Sequence, residues 1–67
     1  MIKVCINGQW QEFEASTSGE ILLAQLGLQE MPLVAELNGE ALAKPTFMAR
    51  QLADGDLLEL VSVVGGG

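Results

Sequence analysis

Two Asn-Gly dipeptides, Asn7-Gly8 and Asn38-Gly39, each close a short apolar-rich segment, and they constrain this chain more than any other local feature. Asparagine and glycine both tolerate the positive backbone angles of a type I′ turn, whose twist matches that of two antiparallel strands. Before the first dipeptide, Ile2, Val4 and Ile6 alternate with Lys3, Cys5 and Asn7, the period of a half-buried strand. Gln9 to Glu14 is then the returning arm. Trp10 and Phe13 lie three residues apart, so a regular strand would place them on opposite faces, and a bulge or a late end to pairing is expected instead. Leu33 to Leu37 forms the strand before the second dipeptide, with a brief return over Glu40 to Ala43.

Between the hairpins, Ser16-Thr17-Ser18 supplies helix N-caps, and Thr17 with Glu20 has capping-box spacing. The helix runs to about Leu26, with Leu22 and Leu26 as its apolar stripe, Ile21 and Leu23 in support, and Gly27 as its left-handed stop. Pro45 forbids a long central strand beyond Ala43. Thr46 to Leu52 holds a turn or two of helix, with Phe47 and Leu52 pointing inward. Asp54-Gly55-Asp56 is a tight turn, read as solvated, that launches the strand Leu57 to Val64. Alternation there sets Leu58 and Leu60 against Leu57, Glu59, Val61 and Val63. Strands flanking one helix predict an α+β fold with the first and last strands central, parallel and adjacent.

A chain of 67 residues is a single domain that buries about 60% of its unfolded surface. Its 49% hydrophobic content argues against disorder. Nine acidic residues against Lys3, Lys44 and Arg50 leave a net charge of -6, which repels nucleic acid and anionic membranes and suits a protein partner with a basic face. Cys5 is the lone cysteine, so no internal disulfide is possible, and a packing role is expected of it. No basic segment precedes an apolar stretch, and the longest apolar run, Ile21 to Ala24, is far too short to span a bilayer; a cytoplasmic location is expected. Without histidine or tyrosine, the common general base, the nucleophile-histidine pairs and histidine metal sites are all excluded. The chain is not expected to be an enzyme.

With side-chain catalysis set aside, the backbone becomes the candidate. Gly65-Gly66-Gly67 follows an apolar strand, and glycine lets an extended tail enter a narrow channel. A free carboxylate resists substitution, but adenylation by a partner using ATP and magnesium would make it electrophilic, and a sulfur donor could then leave a thiocarboxylate. The other reading of the glycines is a flexible linker or frayed end.

The whole chain resembles the ubiquitin-like β-grasp sulfur carriers of the ThiS type, which serve thiamine biosynthesis. The resemblance rests on Asn7-Gly8, Leu22-Leu23-Ala24-Gln25-Leu26-Gly27-Leu28, Leu37-Asn38-Gly39-Glu40, Asp54-Gly55-Asp56 and Val63-Val64-Gly65-Gly66-Gly67. Three positions depart from the family pattern: Ala43 where proline is often found, Phe47 where tryptophan is frequent, and Gly19 in place of an apolar helix residue. The resemblance implies a mixed sheet of four to five strands with one main helix packed on one face, a domain over 1–64 and a tail over 65–67. It implies that Gly67 is adenylated by an E1-like enzyme, converted to a thiocarboxylate with sulfur drawn from cysteine through a desulfurase or rhodanese-like donor, and presented to thiazole synthase. Gly65 and Gly66 would thread the partner's channel. ATP and magnesium would belong to the partner, and the chain itself would bind no cofactor or metal. Leu57, Val61 and Val63, with Glu59 at the rim, form the expected docking face. Two other readings stand: a sulfur carrier for another pathway, such as molybdopterin, cysteine or siderophore assembly, and a non-covalent β-grasp adaptor.

Overall fold

In the computed structural model residues 1–63 are described, and the sequence readings that fall on Val64 and on Gly65, Gly66 and Gly67 lie outside them. Five strands form one mixed sheet: β1 (Ile2–Ile6), β2 (Gln9–Phe13), β3 (Leu33–Leu37), β4 (Glu40–Ala43) and β5 (Leu57–Ser62), in the order β2-β1-β5-β3-β4. Helices α1 (Gly19–Gln25) and α2 (Lys44–Met48) complete the domain. β1 and β5 are parallel neighbours, as their apolar character predicts, and β2 and β4 take the edges.

Both hairpins turn where the dipeptides require. Asn7 and Gly8 have φ of 50° and 87°, and Asn38 and Gly39 have 51° and 86°, so all four residues occupy the left-handed region of a type I′ turn. The register is uninterrupted from Ile2↔Phe13 to Ile6↔Gln9. No bulge separates Trp10 from Phe13. The regular pleat sends Phe13 into the core and leaves Trp10 57% exposed, because cross-strand hydrogen bonding fixes the pleat more strongly than one aromatic ring can distort it.

One sheet face carries the core. Ile2, Val4 and Ile6 from β1, Leu33, Ala35 and Leu37 from β3, and Leu58 from β5 meet Leu22 and Leu23 of α1, Phe47 of α2 and Leu52 beyond it. Leu26 and Leu60 are partly buried against this cluster. Ile21, expected in the helix stripe, faces solvent, because a seven-residue helix lying on one sheet face has room for only a narrow buried strip. The cap also differs from expectation. Ser18, rather than Thr17, caps α1 and accepts from the Ile21 N–H at 3.3 Å. Thr17 is drawn inward instead: its carbonyl accepts from Leu52 N–H at 3.1 Å and from Gln51 Nε2 at 3.1 Å.

That position leaves the Thr17 hydroxyl buried with no hydrogen-bond partner among the described residues. An unpaired buried hydroxyl is destabilising, whereas an apolar group of the same shape is not. Thr17→Val should therefore raise stability by about 1 kcal/mol, seen as a higher urea midpoint. A lowered midpoint would mean that the hydroxyl is bonded in solution.

The Asp54-Gly55-Asp56 turn is structural rather than solvated. Asp54 Oδ1 accepts from the Lys3 N–H at 2.7 Å, and Gly55 N–H donates to the Lys3 carbonyl at 2.8 Å, so the turn is fastened to β1. Asp56 is 9% exposed and accepts from Ala53 N–H at 2.8 Å and from Asn38 Nδ2 at 2.9 Å. Strand β5 then stops at Ser62, paired with Leu33. The next residue of the partner strand would be Pro32, which has no N–H to give the ladder; its carbonyl still accepts from Val63 N–H at 3.0 Å.

Candidate functional site

The helices cover one side of the sheet, so the other side is built from the outward positions of all five strands. Along β5, Leu57, Glu59 and Val61 point away from the core and Val63 continues the series, with Leu57, Val61 and Val63 being 54%, 57% and 48% exposed. Leu58 is 1% exposed on the opposite face. The alternation read from the sequence thus places all four predicted docking residues on one open surface. At the rise of an extended strand, Leu57 to Val63 spans about 20 Å and leads in sequence to residue 64.

Neighbouring strands widen this surface with residues that the sequence reading did not include. Val34 is 38% exposed and sits opposite Val61 in the β3–β5 register. Cys5 pairs with Trp10 on one side and Leu57 on the other, forming a row across β2, β1 and β5. Cys5 therefore packs on the outer face, half-buried, and takes no part in the core. Trp10 was legible in the odd spacing to Phe13, had a regular strand been preferred to a bulge. Between the apolar rows Glu36 of β3 lies opposite Glu59 of β5.

Strand β5 is held in place by the two turn asparagines. Asn7 accepts from Leu60 N–H through Oδ1 at 2.8 Å and donates through Nδ2 to the Leu60 carbonyl at 3.4 Å. Asn38 accepts from Leu57 N–H at 2.9 Å while its Nδ2 binds Asp56. Their main-chain N–H groups donate to the Leu58 and Leu57 carbonyls at 2.9 and 2.8 Å. Each asparagine thus sets a turn and fixes the strand that displays the candidate face, which explains why asparagine rather than glycine precedes each glycine.

The described residues contain neither histidine nor tyrosine. Among them no group of three or more histidine, cysteine, aspartate or glutamate residues is placed to hold an ion, and no helix is long and apolar enough to cross a membrane. A surface depression lined by Lys3, Trp10, Gln11, Glu12, Asp54 and Gly55 mixes charge signs. Gly65, Gly66 and Gly67 are outside the described residues, so the sheet face is the part of the candidate site with visible geometry.

Comparison with known proteins places this geometry. The crystal structure of a thiamine biosynthesis protein, ThiS, from Geobacter metallireducens is similar with a TM-score of 0.79 and 30% identity, covering 98% of this chain and all of the other. A solution structure of a thiamine biosynthesis protein from the same organism gives a TM-score of 0.71 at 29% identity, covering 98% of this chain and 88% of that one. Two proteins named thiazole synthase also match over 66 residues, that of Paramagnetospirillum magneticum at 38% identity and that of Magnetococcus marinus at 33%. Those matches cover 98% of this chain but 20% of either relative, so the chain spans about a fifth of the length of the curated relatives it matches. The five-stranded mixed sheet with its covering helix is the ubiquitin-like β-grasp. The model of the ThiS family matches residues 4–67, nearly the whole sequence, and the chain belongs to that family.

Proposed function

We propose that this chain is a sulfur carrier of thiamine biosynthesis, with the Gly67 carboxylate as the group that carries sulfur. The observation that carries the proposal is that the ThiS match extends through Gly67, the last of three glycines. The chain contributes no catalytic side chain to the reaction; it presents an end to partner enzymes. In the first step a Gly67 carboxylate oxygen attacks the α-phosphorus of ATP on an adenylating enzyme and pyrophosphate leaves. The acyl-adenylate carbonyl is then open to a sulfur nucleophile, and AMP departs as the carbon–sulfur bond forms. ATP and magnesium belong to the partner. Gly65 and Gly66 bring the carboxylate through the partner's channel, where a side chain would obstruct.

Thiazole synthase is the proposed acceptor. Its support is that two proteins bearing that name contain a region similar to this chain. The outer sheet face, with Leu57, Val61 and Val63 and with Glu59 at its rim, is the proposed docking surface, because an apolar patch on an acidic domain suits a basic-rimmed partner. The cysteine-derived sulfur would reach the carrier from a desulfurase or a rhodanese-like protein.

Intact mass spectrometry tests the chemistry. After incubation with an adenylating enzyme of this type, ATP, magnesium and a sulfur source, the chain should gain the mass difference between sulfur and oxygen, localised to Gly67 by fragmentation. Adenylation or sulfur transfer that proceeds equally well on a chain lacking Gly67 would overturn the assignment.

A further inference from the structure

On the outer face the register sets two carboxylates side by side, Glu59 of β5 directly opposite Glu36 of β3, and both residues are exposed. Like charges in a directly opposed cross-strand pair weaken the sheet. Among the described residues no cation answers them. Arg50 pairs with Glu40 at 3.4 Å, Lys44 donates to the Gln29 and Met31 carbonyls, and Lys3 stands opposite Glu12 on the far side of β1. The two carboxylates also border a hollow of about 260 Å³ whose other walls include Leu57, Cys5, Gly8 and Gly39. Gly8 and Gly39 are the second residues of the two tight turns, and having no side chains they leave the rim low on both sides.

An apolar floor beneath two uncompensated carboxylates fits a long side chain with an apolar stem and a forked cationic head. We propose that this hollow seats an arginine of the adenylating enzyme, its methylene stem against Leu57 and its guanidinium between Glu36 and Glu59. Arginine is favoured over lysine because its planar fork has donors on two edges and can bond both carboxylates at once, whereas an ammonium group is a point charge. The inference deepens the docking role proposed above and rests on it: the strain of the Glu36–Glu59 pair in the free carrier is relieved in the complex, so the pair selects for a partner with that cation.

Calorimetric binding of the full chain to the adenylating enzyme tests this, with urea unfolding of the same proteins. Glu36→Gln and Glu59→Gln should each weaken binding about tenfold, and the double variant should lose little more than either single one, since both glutamates share one arginine. Glu30→Gln, a charge removed elsewhere on the surface, should change affinity by less than about twofold. The unfolding midpoint of both single variants should stay or rise, because repulsion is removed. Losses equal to that of Glu30→Gln would reduce the pair to general charge steering and overturn the proposal, as would a lowered midpoint. Self-association of the unaltered chain that disappears in the same variants would assign the hollow to a second copy, with the same effect. An unaltered chain that neither binds the enzyme nor is adenylated overturns the functional reading itself, a result distinct from tight binding that ignores the two glutamates.

Discussion

Val61→Asp should bind the adenylating enzyme about a hundredfold more weakly, whereas a chain ending at Gly66 should bind almost normally and undergo no adenylation. Val61 is 57% exposed on β5, so an aspartate there meets water in the free protein and the fold survives. In the complex the same carboxylate would be buried without a partner, at a cost of about 3 kcal/mol, which is the hundredfold expected. Loss of Gly67 acts at a different step. The sheet face proposed to supply most of the buried apolar area is untouched, but the carboxylate is withdrawn by about 3.5 Å, beyond the distance at which it can attack phosphorus. Binding measurements paired with ATP–pyrophosphate exchange separate the two failures. Normal binding by Val61→Asp would remove β5 from the interface; normal exchange by the shortened chain would remove Gly67 from the chemistry.

Gly19→Ala should destabilise the domain by about 3 kcal/mol, against a total of about 3 to 10 kcal/mol for a chain of this size. At an ordinary exposed helix position the same exchange stabilises by about 1 kcal/mol, so the sign alone identifies the cause. A methyl group on Gly19 would lie 2.1 Å from the Phe47 carbonyl oxygen and 2.8 Å from its carbonyl carbon. Neither atom can retreat easily: the oxygen accepts from Arg50 N–H at 2.9 Å, and the Phe47 ring is fully buried. The Gly19 N–H itself donates to the Arg50 carbonyl at 2.9 Å, tying the start of α1 to the segment just beyond α2. Urea titration should show a lower midpoint with an unchanged slope. An unchanged midpoint would mean that α1 slides away from α2 at little cost.

These contacts mark where the sequence stopped being legible. Gly19 and Phe47 lie 28 residues apart in the sequence, which hides that they touch; only the packing of α1 on α2 shows that a small residue at one position accommodates the backbone at the other. The hairpins and the two faces of β5 were legible because their determinants are local, in the backbone freedom of Asn-Gly and the strict period of a strand. The choice between Thr17 and Ser18 as cap was not, because both have the chemistry and the deciding contacts come from Gln51 and Leu52 across the domain. Asp56 was read as solvated for the same reason: its partner Asn38 is 18 residues away in sequence. On the outer face, Glu36 looks like an ordinary surface charge and Glu59 like a rim contact until the β3–β5 register sets them opposite one another.

Strand β5 comes last in the order of elements and lies in the middle of the sheet, with β1 on one side and β3 on the other. During synthesis, a ribosome that has delivered the first 56 residues has supplied two hairpins and both helices, yet nothing joins the hairpins into one sheet. Isolated hairpins are marginal in water, so the two halves of the sheet lack the strand that would bind them together before β5 arrives. Closing the Cys5–Leu57 pairing then spans most of the sequence, and non-local pairing of this kind slows folding. The outward surface of β5 and the ordered domain therefore come into being in the same event, and a partner reading that surface would engage only chains whose folding has finished.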